Sequence, residues 1–155
     1  MPTTSNRRFW LVAGPMFGVG VAVVIAIVLL RPSVRRNAAF LVERNLRTVA
    51  AAVQDVRHAE GSLAAATPER LTEEGLPGFE FNDAEEASDE PGVISVAISG
   101  ETWTGAARAD SGACYWIRLG TTADVPVEPA TGTIPGNDCT GATASRAQPT
   151  GWPDL

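Results

Sequence analysis

Four patterns of apolar and polar positions follow one another along this chain. The first is continuous. Phe9 to Leu30 is 22 residues without a charge, and a helix of that length reaches about 33 Å, enough to span a bilayer core. Phe9 and Trp10 stand at one end, where aromatic rings favour the membrane interface. The second pattern is helical. Val42, Leu46, Val49, Val53 and Val56 are spaced 4, 3, 4 and 3 residues apart, which places them on one face of a helix. With Ala50 to Ala52 as helix formers and Gly61 as terminator, this predicts a rod from Ser33 to Glu60, about 42 Å long. The third pattern is a series of short runs rich in β-formers: Val93 to Ile98, Glu101 to Ala109 and Ala113 to Leu119. Tight turns at Ser99-Gly100 and Asp110-Ser111-Gly112 join them and predict an antiparallel meander. The fourth is the polar ending TGATASRAQPTGWPDL, which reads as a disordered tail.

Smaller signals fill the gaps. Thr67-Pro68-Glu69 is a helix start with Thr67 as cap and Pro68 at the first position, and Gly75 ends that helix. Phe79 to Phe81 reads as a brief strand. Residues 120–138 hold Pro126, Pro129, Gly132, Pro135 and Gly136 and read as a turn-rich loop. The organisation expected is a basic segment 1–8, a transmembrane helix 9–30, an amphipathic stalk helix 31–60, a sheet domain 61–142 and a tail 143–155. The fold class is α+β with a small antiparallel sheet.

Two alternatives to a membrane anchor fit less well. A cleaved signal peptide has a shorter apolar run and a small-residue cleavage site, whereas this run ends in LLRPSVRR. A buried core helix is not normally so long and uncharged. Gly14 and Gly18 stand at GxxxG spacing and offer a small-residue face for packing against another helix in the membrane. The stalk stripe is expected to pack on the chain's own sheet, with a short coiled coil as the alternative.

Charge separates the two ends. Residues 1–58 carry eight arginines and two acids, and residues 59–155 carry four arginines and sixteen acids. The acidic part lacks the basic surface that nucleic-acid binding needs. Arginines flank the span on both sides, three after it and two before it. Taken literally, these counts put the C-terminal part inside, but long domains cross regardless of flanking charge. The chain has no lysine, one histidine and two cysteines. Schiff-base and phosphate-loop lysines are therefore excluded, and a closed structural zinc site is not expected. His58, the sole candidate base, falls near a helix end off the valine stripe and reads as a surface residue. No nucleophile with a base is visible, so no catalytic residue, metal or cofactor is expected. The acidic stretch from Glu80 to Glu90 lacks the ligand spacing of a calcium loop and reads as solvated. Trp103 and Trp116 read as covering side chains for the sheet, with ligand stacking as the alternative.

Cys114 and Cys139 bracket the turn-rich loop. If they pair, chain entropy gives about 3.5 kcal/mol of stabilisation, and the bond belongs to an exported domain. Two free thiols are the alternative. On the paired reading the C-terminal domain is extracytoplasmic.

The order of transmembrane helix, amphipathic helix, small sheet and cysteine-closed loop resembles a type IV pilin or type II secretion pseudopilin. The local resemblance lies in RNLRTVAAAVQDVRHAEGSLAAATPERL, which is similar to the helix-to-loop passage of actinobacterial pilin-like proteins. It continues in SGACYWIRLG followed by NDCTGA, which is similar to their last strand and closing loop. Together these cover about residues 33–142. The apolar run departs from the family: it has no glutamate at its fifth residue and no prepilin cleavage junction. The resemblance implies a pilin-like fold and a minor or accessory place in a pilus or secretion assembly. Its partners would be the lipid bilayer and other pilin-like subunits or assembly proteins. A membrane-anchored binding module outside any filament is the other expectation, with no ligand named by the residues.

Overall fold

The computed structural model of the chain describes residues 37–122, 125–126 and 128–152. The expected span at 9–30, with Gly14 and Gly18, lies outside them, as do the N-terminal basic segment and the first turn of the stalk. Among the described residues no helix is long and apolar enough to cross a membrane.

Helix α1 covers residues 37–60. Val42, Leu46, Val49, Val53 and Val56 are all between 0% and 2% exposed. They share one apolar cluster with Ile94, Val96, Trp103, Ile117 and Leu119 of the sheet. The stripe therefore packs on the chain's own sheet, and among the described residues no other helix of comparable length covers that face. After α1 come a 3-10 turn (Leu63–Ala65) and helix α2 (Pro68–Glu73). The Thr67 hydroxyl accepts the Arg70 N–H at 3.2 Å and starts α2. Arg70 then holds Glu60 and Glu74, each at 2.7 Å, and ties α2 back to the end of α1.

The sheet contains β1 (Glu80–Asn82), β2 (Val93–Ser99), β3 (Thr102–Arg108), β4 (Cys114–Thr122), β5 (Val125–Pro126) and β6 (Ala130–Ile134). Strands β2, β3 and β4 form the antiparallel meander, with Val96 opposite Gly105 and Gly105 opposite Ile117. Both β5 and β6 pair with β4. Two features depart from the sequence reading. The sheet is mixed, because β1 lies parallel to β2, with Glu80 opposite Val93. The connection at 83–92 is too long for a tight hairpin and returns the chain to the level where β1 began. Residues 120–138 are also not purely a loop. The segment Ala130–Ile134 is a strand whose partner, Cys114 to Arg118, becomes available only when the chain folds back.

Alternation sends Tyr115, Ile117 and Leu119 toward α1. Cys114 and Trp116 point to the opposite face, where they cluster with Ala106, Ile134, Cys139 and Ala144. Gly132, opposite Trp116 in β6, leaves room for the indole: a Cβ there would stand 2.7 Å from the ring.

The expected disordered tail is corrected over residues 143–152. Helix α3 spans Gly141–Arg146, so the boundary drawn at 142 cuts through it. Thr140 caps it by accepting the Thr143 N–H at 3.1 Å. Beyond α3, the Thr150 and Gly151 N–H groups donate to the Thr131 carbonyl. The Trp152 indole N–H donates to the Trp116 carbonyl at 3.1 Å, and the Arg47 guanidinium lies 4.7 Å from the Trp152 ring centre. Polar composition suggested no order here because, apart from the Thr140 cap, the ordering contacts are distant in sequence.

Candidate functional site

Residues 114–146 concentrate the features that could carry function. Cys114 and Cys139 form a disulfide with the Cα atoms 5.4 Å apart. Both cysteines are fully buried. The bond fixes the segment entering α3 to the first residue of β4. From there the chain docks along the sheet: the Gly141 N–H donates to Ser95 Oγ at 2.8 Å, and Ser95 Oγ donates to the Asp83 carbonyl at 3.0 Å. Gly141 is pressed against strand backbone, since a Cβ there would lie 2.7 Å from the Ala97 nitrogen.

The acidic stretch is tied into the same corner rather than wholly solvated. Ser88 is fully buried. Its N–H donates to the Cys139 carbonyl at 2.8 Å, and its hydroxyl oxygen accepts the Arg108 N–H at 2.8 Å. The Arg108 side chain donates to the carbonyls of Ser88, Gly112 and Asn137. Sequence reasoning missed this hub. Ser88 sits between acidic residues, and nothing local marks it as buried. Among the described residues no cluster of three or more acidic, histidine or cysteine side chains is placed to hold a metal ion.

Arg118 performs a similar task on α3. It projects from β4, and its Nη2 donates to the carbonyls of Ala144, Ser145 and Ala147 at 2.6, 2.7 and 3.1 Å. A cation at a helix C-terminus meets unpaired carbonyls and the negative end of the helix dipole. The guanidinium also lies 4.8 Å from the Trp116 ring centre. Beside it is an open cavity of about 440 Å³ on the face of the sheet away from α1, bounded by β2, β3, β4 and the end of α3.

The other singled-out residues have plainer positions. His58 is exposed near the end of α1. Trp103 is fully buried and its indole N–H donates to the Ala66 carbonyl at 3.1 Å. Trp116 is fully buried too, so neither ring offers a free stacking surface. On α1, Phe40 is 60% exposed. Glu43, one turn on, has a buried carboxylate oxygen without a hydrogen-bond partner among the described residues. Burial raises its pKa above the ordinary value, with Arg47 opposing the shift. The Tyr115 phenol is raised by burial and then by the charge of Glu43. In the turn before β3, the Ser62 hydroxyl and then the Leu63 N–H hold the Glu101 carboxyl below the ordinary value.

Compared with protein-family models, with curated proteins and with solved structures, the chain matches none.

Proposed function

We propose that the chain is a non-enzymatic, single-pass membrane protein with a pilin-like extracytoplasmic domain. In this reading it is an accessory or minor component of a type IV pilus or type II secretion-like assembly. The observation that carries the reading is the pairing of a long amphipathic helix with a sheet. The valine stripe of α1 is spent on the sheet. Phe40, Arg44, Thr48, Ala51 and Asp55 remain exposed along the helix's outer side. That side is free for lateral contacts between neighbouring helices, and the apolar run at 9–30 supplies the anchor. The buried disulfide supports an oxidising location for the domain. A second reading, an anchored binding module unconnected to a filament, is favoured by the polar cavity beside Arg118.

The test is photo-crosslinking in native membranes from a reactive group placed at Thr48, followed by mass spectrometry of the adducts and of the intact chain. Adducts to other pilin-like or assembly proteins support the assembly reading. Recovery from the membrane fraction with no such adduct favours the binding module. Recovery in the soluble fraction alone overturns both. The intact mass also reports N-terminal processing: a new terminus within residues 9–20 indicates a processed subunit, and an unchanged mass an intact anchor.

A further inference from the structure

The cavity on the outer face of the sheet differs from the rest of the acidic domain. Residues 59–155 hold sixteen acidic side chains and four arginines. Two of those four, Arg118 and Arg146, line this one cavity, and among the described residues no Asp or Glu does. The other two are committed elsewhere: Arg70 is ion-paired with Glu60 and Glu74, and Arg108 is bonded to backbone carbonyls. The remaining polar lining is hydroxyl: Ser99, Thr102, Thr104 and Ser145. The hydroxyls and Arg118 project from β2, β3 and β4 in register, with Ser99 opposite Thr102 and Thr104 opposite Arg118. Ser145 and Arg146 close the cavity from α3.

Two polar atoms at this place are buried and lack a hydrogen-bond partner among the described residues: Thr104 Oγ1 and Arg118 Nε. They belong to directly opposed residues of β3 and β4. Thr104 is only 1% exposed. An unpaired buried polar group costs about 1–3 kcal/mol; Arg118 Nε can only donate and the Thr104 hydroxyl can donate as well as accept, so one acceptor placed here would satisfy both. Capping α3 explains only the Nη2 end of Arg118; a guanidinium offers five donors, and the Nε and Nη1 ends are left over.

We infer that this cavity is a binding site for the oxyanion of a small phosphate- or carboxylate-bearing ligand. Arg118 and Arg146 supply charge and the hydroxyls of Thr102 and Thr104 complete the donor set. Charge-assisted hydrogen bonds to an oxyanion are the strong ones, and a site whose described lining holds two arginines and no carboxylate selects anions against the field of the surrounding domain. The volume is within the range of small-molecule sites. Neither orphaned atom touches solvent, so binding includes a side-chain adjustment. For Thr104 this is one χ1 step of about 120° between staggered wells. The site stands whether or not the chain enters an assembly.

The test uses the full chain in detergent micelles and isothermal titration calorimetry at fixed ionic strength. Inorganic phosphate and acetate are the probes and chloride is the control. The expected result is saturable binding of phosphate, acetate or both, with no saturable response to chloride. Which probe binds tells which source of oxyanion the site takes. Arg146→Gln, on an exposed side chain, is expected to weaken binding about tenfold or more, and Thr104→Val several-fold. Arg146→Gln should keep the unliganded melting temperature near that of the parent chain, and Thr104→Val, which removes a buried hydroxyl without a partner, should keep or raise it. Arg118 is not the residue to change, because its loss also uncaps α3. Absence of saturable binding by both probes overturns the inference, and so does unchanged affinity in both variants.

Discussion

Leu46→Ala is the most direct test of where the apolar stripe of α1 goes. Leu46 is fully buried at the middle of the stripe. Removing its terminal carbons loses transfer free energy and leaves a cavity, since α1 is held along its length by Val42, Val49 and Val53 and cannot collapse freely. Such changes cost about 2–5 kcal/mol, a large part of the 5–15 kcal/mol that stabilises an ordinary domain. The compact unit from Asn37 to Leu155 has roughly 120 residues, so its unfolding entropy near the midpoint is about 250 cal/mol/K. A loss of about 3 kcal/mol then lowers Tm by about 12 °C. Thr48→Ala, two residues on and on the exposed side, should change stability by less than about 0.5 kcal/mol. The assay is thermal unfolding of the full chain in micelles, followed by near-ultraviolet circular dichroism over a tenfold range of protein concentration. Equal shifts for the two variants would refute the intramolecular seam. So would a Tm for the unmodified chain that rises with concentration, because that is the mark of a seam between chains.

Removing the disulfide with Cys114→Ala and Cys139→Ala together should cost about 3.5 kcal/mol, from the loop closed by residues 25 apart, read as a lower urea midpoint. Gly141→Ala should cost about 2 kcal/mol, because the new Cβ meets the backbone of Val96 and Ala97 rather than a flexible side chain; an unchanged Tm would contradict that close approach. Glu43 carries a pH signature. Its folded pKa lies above the unfolded value of 4.5, so the folded state binds the proton more tightly. Stability contributed by that proton is fully present below about pH 4.5 and is lost as pH rises through the folded pKa. Glu43→Gln should therefore match the parent chain near pH 4 and exceed it in Tm at pH 7; parallel profiles across that range would refute the burial effect.

The strongest sequence signals correspond to elements whose cause is local. The valines of α1 repeat with the helix period, and their burial needs only a flat apolar partner. The runs around Val93, Trp103 and Tyr115 alternate with the strand period and are separated by turns that fix their antiparallel order. Thr67 and Pro68 mark the start of α2 because capping involves residues three apart. At the candidate site, the cysteine pairing was one of two readings, and Arg118 was not visible at all. An arginine in a β-former run is indistinguishable by sequence from a solvated edge residue.

What the sequence determined by itself was the periodicity and the charge: an uncharged run long enough for a bilayer, a helix with one apolar face, three strands in order, and an acidic C-terminal part. Tertiary structure alone decided the rest. It made β1 parallel to β2, with the ten residues 83–92 carrying the chain back and Ser88 tying that connection down. It turned Ala130–Ile134 into a strand by presenting β4 as its partner, and ordered residues 141–152 through Arg118, Trp116 and Thr131. Each of these contacts joins residues far apart along the chain, so its free energy appears only after the intervening loop has closed. A reading of neighbours cannot supply that term. The cavity between Thr104 and Arg146 has the same origin, since it exists only where β3, β4 and α3 meet.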